Sequence, residues 1–299
     1  MSTRGRSKTW ILTMAAVLLA MAGCRTGLDD QGQIGASVGE VMASADESAN
    51  ASSTTAMLPA LPILRTPDEL KGPMWRRALD AVFPSAYAAS CFPFAFSSCA
   101  AGVRTETFSD CTFGAATLDG SVTLTFSDTA ACTFGATGDT VNRLASFTVT
   151  GPYGGTLAVS SPGGGQTLTK TDAGLSFTVP GMERVLTGPA GRTLFDIGTA
   201  TTAPIVMTGT SRADFEIVSG ALVVTHHLAG YSVTLEPHDL AWARTCNCAV
   251  SGSLTGTVSG GKEDGKSALV TITSCGHADV TIDGDTESVQ LDRCAAISP

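Results

Sequence analysis

Three stretches of this chain bring together side chains that could bind or react. Gly260-Gly-Lys-Glu-Asp-Gly265-Lys266-Ser267 has the letters of a phosphate-binding loop. Such a loop follows a strand and opens a helix, so that helix-terminal amides cradle the phosphate. Here Ala268 to Thr273 alternates as a strand, and Glu263 and Asp264 would repel an anion. The stretch reads as a polar hairpin loop. Asp283-Gly284-Asp285-Thr286-Glu287 has oxygens of the kind calcium takes, but lacks the later ligands of an EF-hand loop. It reads as a turn.

His226, His227, Glu236 and His238 form the third group. With a two-residue turn at Ala229-Gly230, His226 faces Val233 and His238 faces Ala221. At roughly 3.3 Å per residue those sites lie more than about 15 Å apart, too far for one metal. No metal, cofactor or catalytic residue is assigned.

The largest store of reactive groups is the nine cysteines. Their reading depends on compartment, and the N-terminus speaks to that. Arg4, Arg6 and Lys8 precede an uncharged run of 13 residues, Trp10 to Ala22. A membrane span takes roughly 20 apolar residues. A basic head, a short apolar run and small residues at its end describe an export signal over 1–23 instead. The run closes in Leu19-Ala20-Met21-Ala22-Gly23-Cys24, which resembles the lipobox of bacterial lipoproteins. Met21 stands where that class usually has Leu. The resemblance implies a thioether-linked diacylglycerol on Cys24, cleavage before it and acylation of the new amine. Several acyl chains together anchor a protein stably, where one is marginal. Arg25, rather than Asp, follows Cys24, which by the same resemblance leans toward the outer membrane over the inner.

With Cys24 set aside, Cys91, Cys99, Cys111, Cys132, Cys246, Cys248, Cys275 and Cys294 remain. An even number in an oxidising compartment reads as a disulfide framework, and eight cysteines allow 105 connectivities. Geometry argues for one pair. A turn at Gly284-Asp285 sets Val280 opposite Val289, Ala278 opposite Leu291 and Cys275 opposite Cys294, close enough to bridge. The expected pair is Cys275–Cys294. Cys246 and Cys248 would share one strand face and reach the early cysteines. Cys246, Cys248, Cys275 and His277 also have soft-metal chemistry; disulfides are the default outside the cytoplasm.

These groups need elements to hold them. Residues 24–65 are rich in Gly, Ala, Ser, Thr and acids, a composition unable to offset its ordering entropy by burial. They read as a lipidated tether reaching roughly 35 Å by random-coil scaling. In 66–90, Thr66-Pro67-Asp68-Glu69 is a helix start, and Trp75, Leu79, Val82 and Phe83 repeat at helical spacing. Gly72 and Pro73 limit this to a short helix and linker.

Residues 91–299 change to period two. Ser121–Phe126, Ser146–Val149, Thr156–Val159, Leu175–Val179, Ala221–His226, Tyr231–Glu236 and Ala268–Thr273 alternate apolar residues with Thr or Ser, or nearly so. Gly, Pro and Asp-Gly clusters separate them. This predicts an all-β, antiparallel sandwich or barrel-like meander with one wet face. Phe108-Ser-Asp-Cys111-Thr-Phe113-Gly114-Ala115 echoes Phe126-Ser-Asp and Cys132-Thr-Phe134-Gly135-Ala136, read as a duplicated hairpin with a β-solenoid as the alternative architecture.

Removing the signal leaves 15 basic and 27 acidic residues, a net charge of −12. That excludes a nucleic-acid partner, whose phosphates are neutralised by Lys and Arg, and argues against charge-driven docking on anionic lipid. The sequence therefore predicts a membrane-anchored envelope lipoprotein with a binding or structural role. A carrier of a hydrophobic ligand in a β-barrel lumen and a hydrolase with an unfamiliar site are the alternatives. A protein or other envelope partner is left open.

Overall fold

The computed structural model describes residues 97–113, 116–209, 213–246, 248–291 and 294. Cys24, Cys91, the signal, the tether and the expected short helix lie outside them. The described chain is all-β and antiparallel, as the alternation predicts. Fourteen strands form one sheet. They are β1 (Val103–Phe113), β2 (Ala116–Phe126), β3 (Thr140–Thr150), β4 (Thr156–Ser160), β5 (Gln166–Lys170), β6 (Gly174–Thr178) and β7 (Met182–Thr187). The second half holds β8 (Thr193–Thr208), β9 (Glu216–His226), β10 (Tyr231–Trp242), β11 (Ala249–Gly260), β12 (Ser267–Ser274), β13 (His277–Ile282) and β14 (Asp285–Gln290).

The topology is an up-and-down meander with two interrupted strands. β4 pairs one half of β3, from Ser146↔Ser160 to Thr150↔Thr156, and β5 pairs the other half, from Thr140↔Thr169 to Arg143↔Gln166. β4 and β5 are thus one strand broken by Ser161-Pro-Gly-Gly-Gly165. β6 and β7 pair the two halves of β8 and are broken by Val179-Pro180-Gly181. The two breaks touch: a Cβ on Gly163 would meet the Gly181 nitrogen at 2.7 Å. Every ladder joins neighbours along the meander, and all are antiparallel, so no solenoid coil is present in the described residues.

Alternation produces a dry face and a wet one. Val122, Ile205, Ile217, Val224, Val233, Leu235, Leu254, Val270 and Val280 are all fully buried, and the apolar face forms one cluster from Phe108 to Cys294. Five polar side chains share that face: Glu106, Arg143, Gln166, Arg184 and Thr199. Each stands at the inward phase of its strand. Burial of charge is tolerable only when it is partnered, and Arg143 Nη2 donates to Gln166 Oε1.

Proline fits where the ladder opens. Pro237, which has no N–H to donate, lies where the β9–β10 pairing lapses between Leu235↔Leu222 and Leu240↔Ile217. Pro204 in β8 sits in an irregular stretch between Ala203↔Ala221 and Val206↔Ser219.

Two expected registers are corrected. In the last hairpin Val280 faces Glu287 and Ala278 faces Val289, because the turn is Asp283-Gly284. Both turn residues have positive φ, 52° and 93°, the conformation of a two-residue type I′ hairpin that favours Asp-Gly. In β9–β10 the turn is not Ala229-Gly230. It spans His227 to Gly230, the Gly230 N–H donates to the His226 carbonyl, and His226 faces Tyr231. The Phe-Ser-Asp echo is likewise not a duplicated hairpin. Its first copy runs along β1 through a bulge between Phe108 and Cys111, and its second leaves β2 into the 127–139 loop.

Candidate functional site

In a meander, successive connections alternate between the two ends of the sheet. The chain enters β1 at one end. The β2–β3 loop, the β5–β6 turn and the β8–β9, β10–β11 and β12–β13 connections all return there. Three disulfides staple that end: Cys99–Cys132, Cys246–Cys275 and Cys248–Cys294, with Cα separations of 5.8, 5.8 and 5.4 Å. Cys111 is also disulfide-bonded. The expected Cys275–Cys294 bond is therefore wrong, as is the reach of Cys246 and Cys248 to the early cysteines. With the turn one residue earlier than expected, the pairing shifts by two and Cys294 lies beyond the end of β14. The Leu291 N–H donates to the Gly276 carbonyl, leaving Cys275 and Cys294 to bond one each to the two cysteines of Cys246-Asn-Cys248. The Cys248 N–H also points to Cys246 Sγ at 3.5 Å.

Near the same end Asp128 organises the β2–β3 loop. It accepts from the Ala130 and Ala131 amides at 3.1 and 3.0 Å and from Thr133 Oγ1 at 2.6 Å. The Thr133 hydroxyl first, then the Ala131 amide, hold its carboxyl below the ordinary aspartate range.

The histidines do not converge. His226 is largely enclosed and stacks on Tyr231, with ring centroids 4.4 Å apart. Burial, and secondarily the neighbouring His227, push its pKa down to about 4. His238 lies on the outer face, where Nε2 and Thr255 Oγ1 are 3.0 Å apart. No group of three His, Cys, Asp or Glu among the described residues could hold a metal ion.

Gly260 to Lys266 closes the β11–β12 hairpin as expected. The Gly260 amide donates to Asp264 Oδ1 at 2.7 Å, and Lys266 pairs with Glu263 and, at 3.3 Å, with Asp283. Those two carboxylates raise the Lys266 pKa, Glu263 most. Ser259-Gly-Gly-Lys262 has the Ser-x-x-Lys spacing of a nucleophile and base, which works when one helical turn stacks the two side chains. Here Ser259 lies within β11, next to its last residue, and Lys262 lies in the hairpin loop, so no helical turn stacks the two. Gly35-Ala-Ser37-Val-Gly39, with the letters of a nucleophile elbow, lies outside the described residues.

The wet face is a field of short hydroxyls. Thr112, Thr117, Thr150, Thr156, Thr187 and Thr193 oppose one another in turn across β1, β2, β3, β4, β7 and β8. Over β10–β13 this face carries an open depression of about 480 Å³, lined by Thr234, Glu236, Thr255, Thr257, Leu269 and Asp283 among others. It lies on the wet side of the sheet and not within the apolar cluster. Its hydroxyls and two carboxylates can hydrogen-bond a polar ligand. One of its hydroxyls, that of Thr255, is the one paired with His238 Nε2.

No family model matches this chain, and neither a curated protein nor a solved structure matches it. The class defined by fold alone is an antiparallel, disulfide-bonded β-meander.

Proposed function

We propose that this protein is a membrane-anchored envelope lipoprotein whose β domain has a binding or structural role rather than a catalytic one. The observation that carries the reading is the state of the cysteines. All seven in the described residues are in disulfides, the condition of an exported protein. The one cysteine that closes the Leu-Ala-Met-Ala-Gly-Cys segment, Cys24, is then the acyl acceptor, and the residues after it are the tether. A dry apolar face, a hydroxyl-clad wet face and an open polar depression on the latter favour a displayed surface over a lumenal carrier.

The test is metabolic labelling with palmitate in a bacterial host. The full chain takes up label and Cys24→Ser does not. Equal labelling of the two removes the anchor.

A further inference from the structure

The end of the sheet opposite the three disulfides is divided by chemistry. Three hairpin tips there carry apolar residues: Gly151-Pro-Tyr-Gly-Gly155 between β3 and β4, Gly188-Pro-Ala-Gly-Arg192 between β7 and β8, and His227-Leu-Ala-Gly230 between β9 and β10. Tyr153 is 71% exposed, Leu228 57%, and Leu194, just past the second tip, 48%. They are half of the six large exposed apolar side chains among the described residues. Gly154, Gly191 and Gly230 all have positive φ, and a Cβ on any of them would meet nothing within 4 Å. The tips therefore stand clear of the body.

Charge separates these tips from the rest. They hold Arg192 and His227 and no carboxylate, in a chain with 27 acidic residues. The next two tips at the same end, 261–266 and 283–284, hold Glu263, Asp264 and Asp283. In sheet order β3-β4-β7-β8-β9-β10 the three apolar tips are consecutive, so neighbouring tips are about 10 Å apart across the strands.

We propose that these three tips insert into the interface of a lipid bilayer. Tyrosine, with an apolar ring and a polar end, favours that depth. Proline and leucine add apolar area, and Arg192 meets headgroup phosphate. The net charge of the body opposes docking on an anionic surface, which makes the missing carboxylates in these tips informative. Separate projecting tips suit a fluid headgroup layer. A protein partner of ordinary affinity needs a continuous complementary patch of about 800 Å². The inference rests on the anchored reading, in which the tether keeps the domain beside a bilayer.

The acylated full chain is reconstituted in phosphatidylethanolamine–phosphatidylglycerol vesicles containing brominated acyl chains. Tryptophan is introduced as Tyr153→Trp, as Leu228→Trp and, at the stapled end, as Ala130→Trp. Quenching is read as the increment over the unsubstituted chain. The expected result is at least threefold more quenching at 153 and 228 than at 130, reduced severalfold when Arg192→Glu is added to either tip variant. Equal quenching at the two ends overturns the proposal, even if the chain floats with the vesicles through its acyl groups. So does a change in Trp emission that follows protein concentration and not lipid, which would assign the tips to a second copy of the chain. A chain that fails to float overturns both docking and anchoring, and palmitate uptake then tells whether the acyl groups were ever attached.

Discussion

His226 is a residue whose titration the fold controls. Its ring lies against Tyr231 at the foot of the β9–β10 turn, and burial holds its pKa near 4, below the ordinary 6.5. The folded state therefore favours neutral imidazole. The associated stability is fully present above pH 6.5 and is lost as pH falls from 6.5 toward 4, because the unfolded chain takes the proton first. After allowance for the partial exposure of the ring, the loss between pH 7 and 4.5 is about 1–2 kcal/mol. Urea denaturation at both pH values checks this. His226→Gln should remove most of the difference, and an unchanged pH dependence in that variant would place the acid sensitivity elsewhere. The low pKa had no counterpart in the sequence reading, which weighed His226 only as a metal ligand.

At the scale of elements, the alternation of apolar residues with Thr and Ser revealed the strands and their faces. Ser121–Phe126, Ala221–His226 and Ala268–Thr273 all lie within strands. Register was less legible. The observed pairings of β9–β10 and β13–β14 each differ by two residues from those the sequence predicts. A slip of one residue turns every side chain to the wrong face, but a slip of two keeps the apolar set inward. Pattern alone cannot see it. In β13–β14 the match of Val280 with Val289 outweighed the φ demand of Asp283-Gly284, and the φ demand is what the chain obeys. The disulfide pairing failed for the same reason, since Cys275–Cys294 depended on that register. The Cys246 and Cys248 partners required knowing that the β10–β11 and β12–β13 connections meet at one end. The buried Glu106, Arg143 and Arg184 were legible in principle, being charged residues at inward positions of alternating strands.

The interrupted strand β4–β5 gives an element-scale prediction. Gly165 has φ +84°, and a Cβ there would lie 2.2 Å from the Arg143 carbonyl oxygen on β3. Gly154, at φ +82°, has open space around it. Gly154→Ala should cost only the left-handed conformation, about 1–2 kcal/mol. Gly165→Ala must also push β3 away, adding on the order of 1–3 kcal/mol. Thermal melts of the two variants compare them directly, and equal losses would mean the break is not wedged against β3.

For the whole molecule, composition and topology bear on the same question. The chain carries an excess of acids, enters its sheet at the stapled end and presents the free hairpin tips at the other. Three disulfides close 29- to 46-residue separations around the stapled end. Bonds of this kind typically contribute about 2–4 kcal/mol each. The proposed compartment rests on cysteine chemistry, and the proposed anchor rests on the lipobox resemblance of the six residues ending at Cys24. What the wet face meets is not written in composition, because short hydroxyls suit many polar partners. The anchor is the claim on which the functional reading stands. Its most direct test is a mass spectrum of the N-terminal peptide of the protein purified from bacterial membranes. A lipid anchor on Cys24 predicts a peptide beginning at Cys24, carrying diacylglycerol on sulfur and a third acyl chain on the amine. A mature chain that begins elsewhere, or one with an unmodified Cys24, would contradict it.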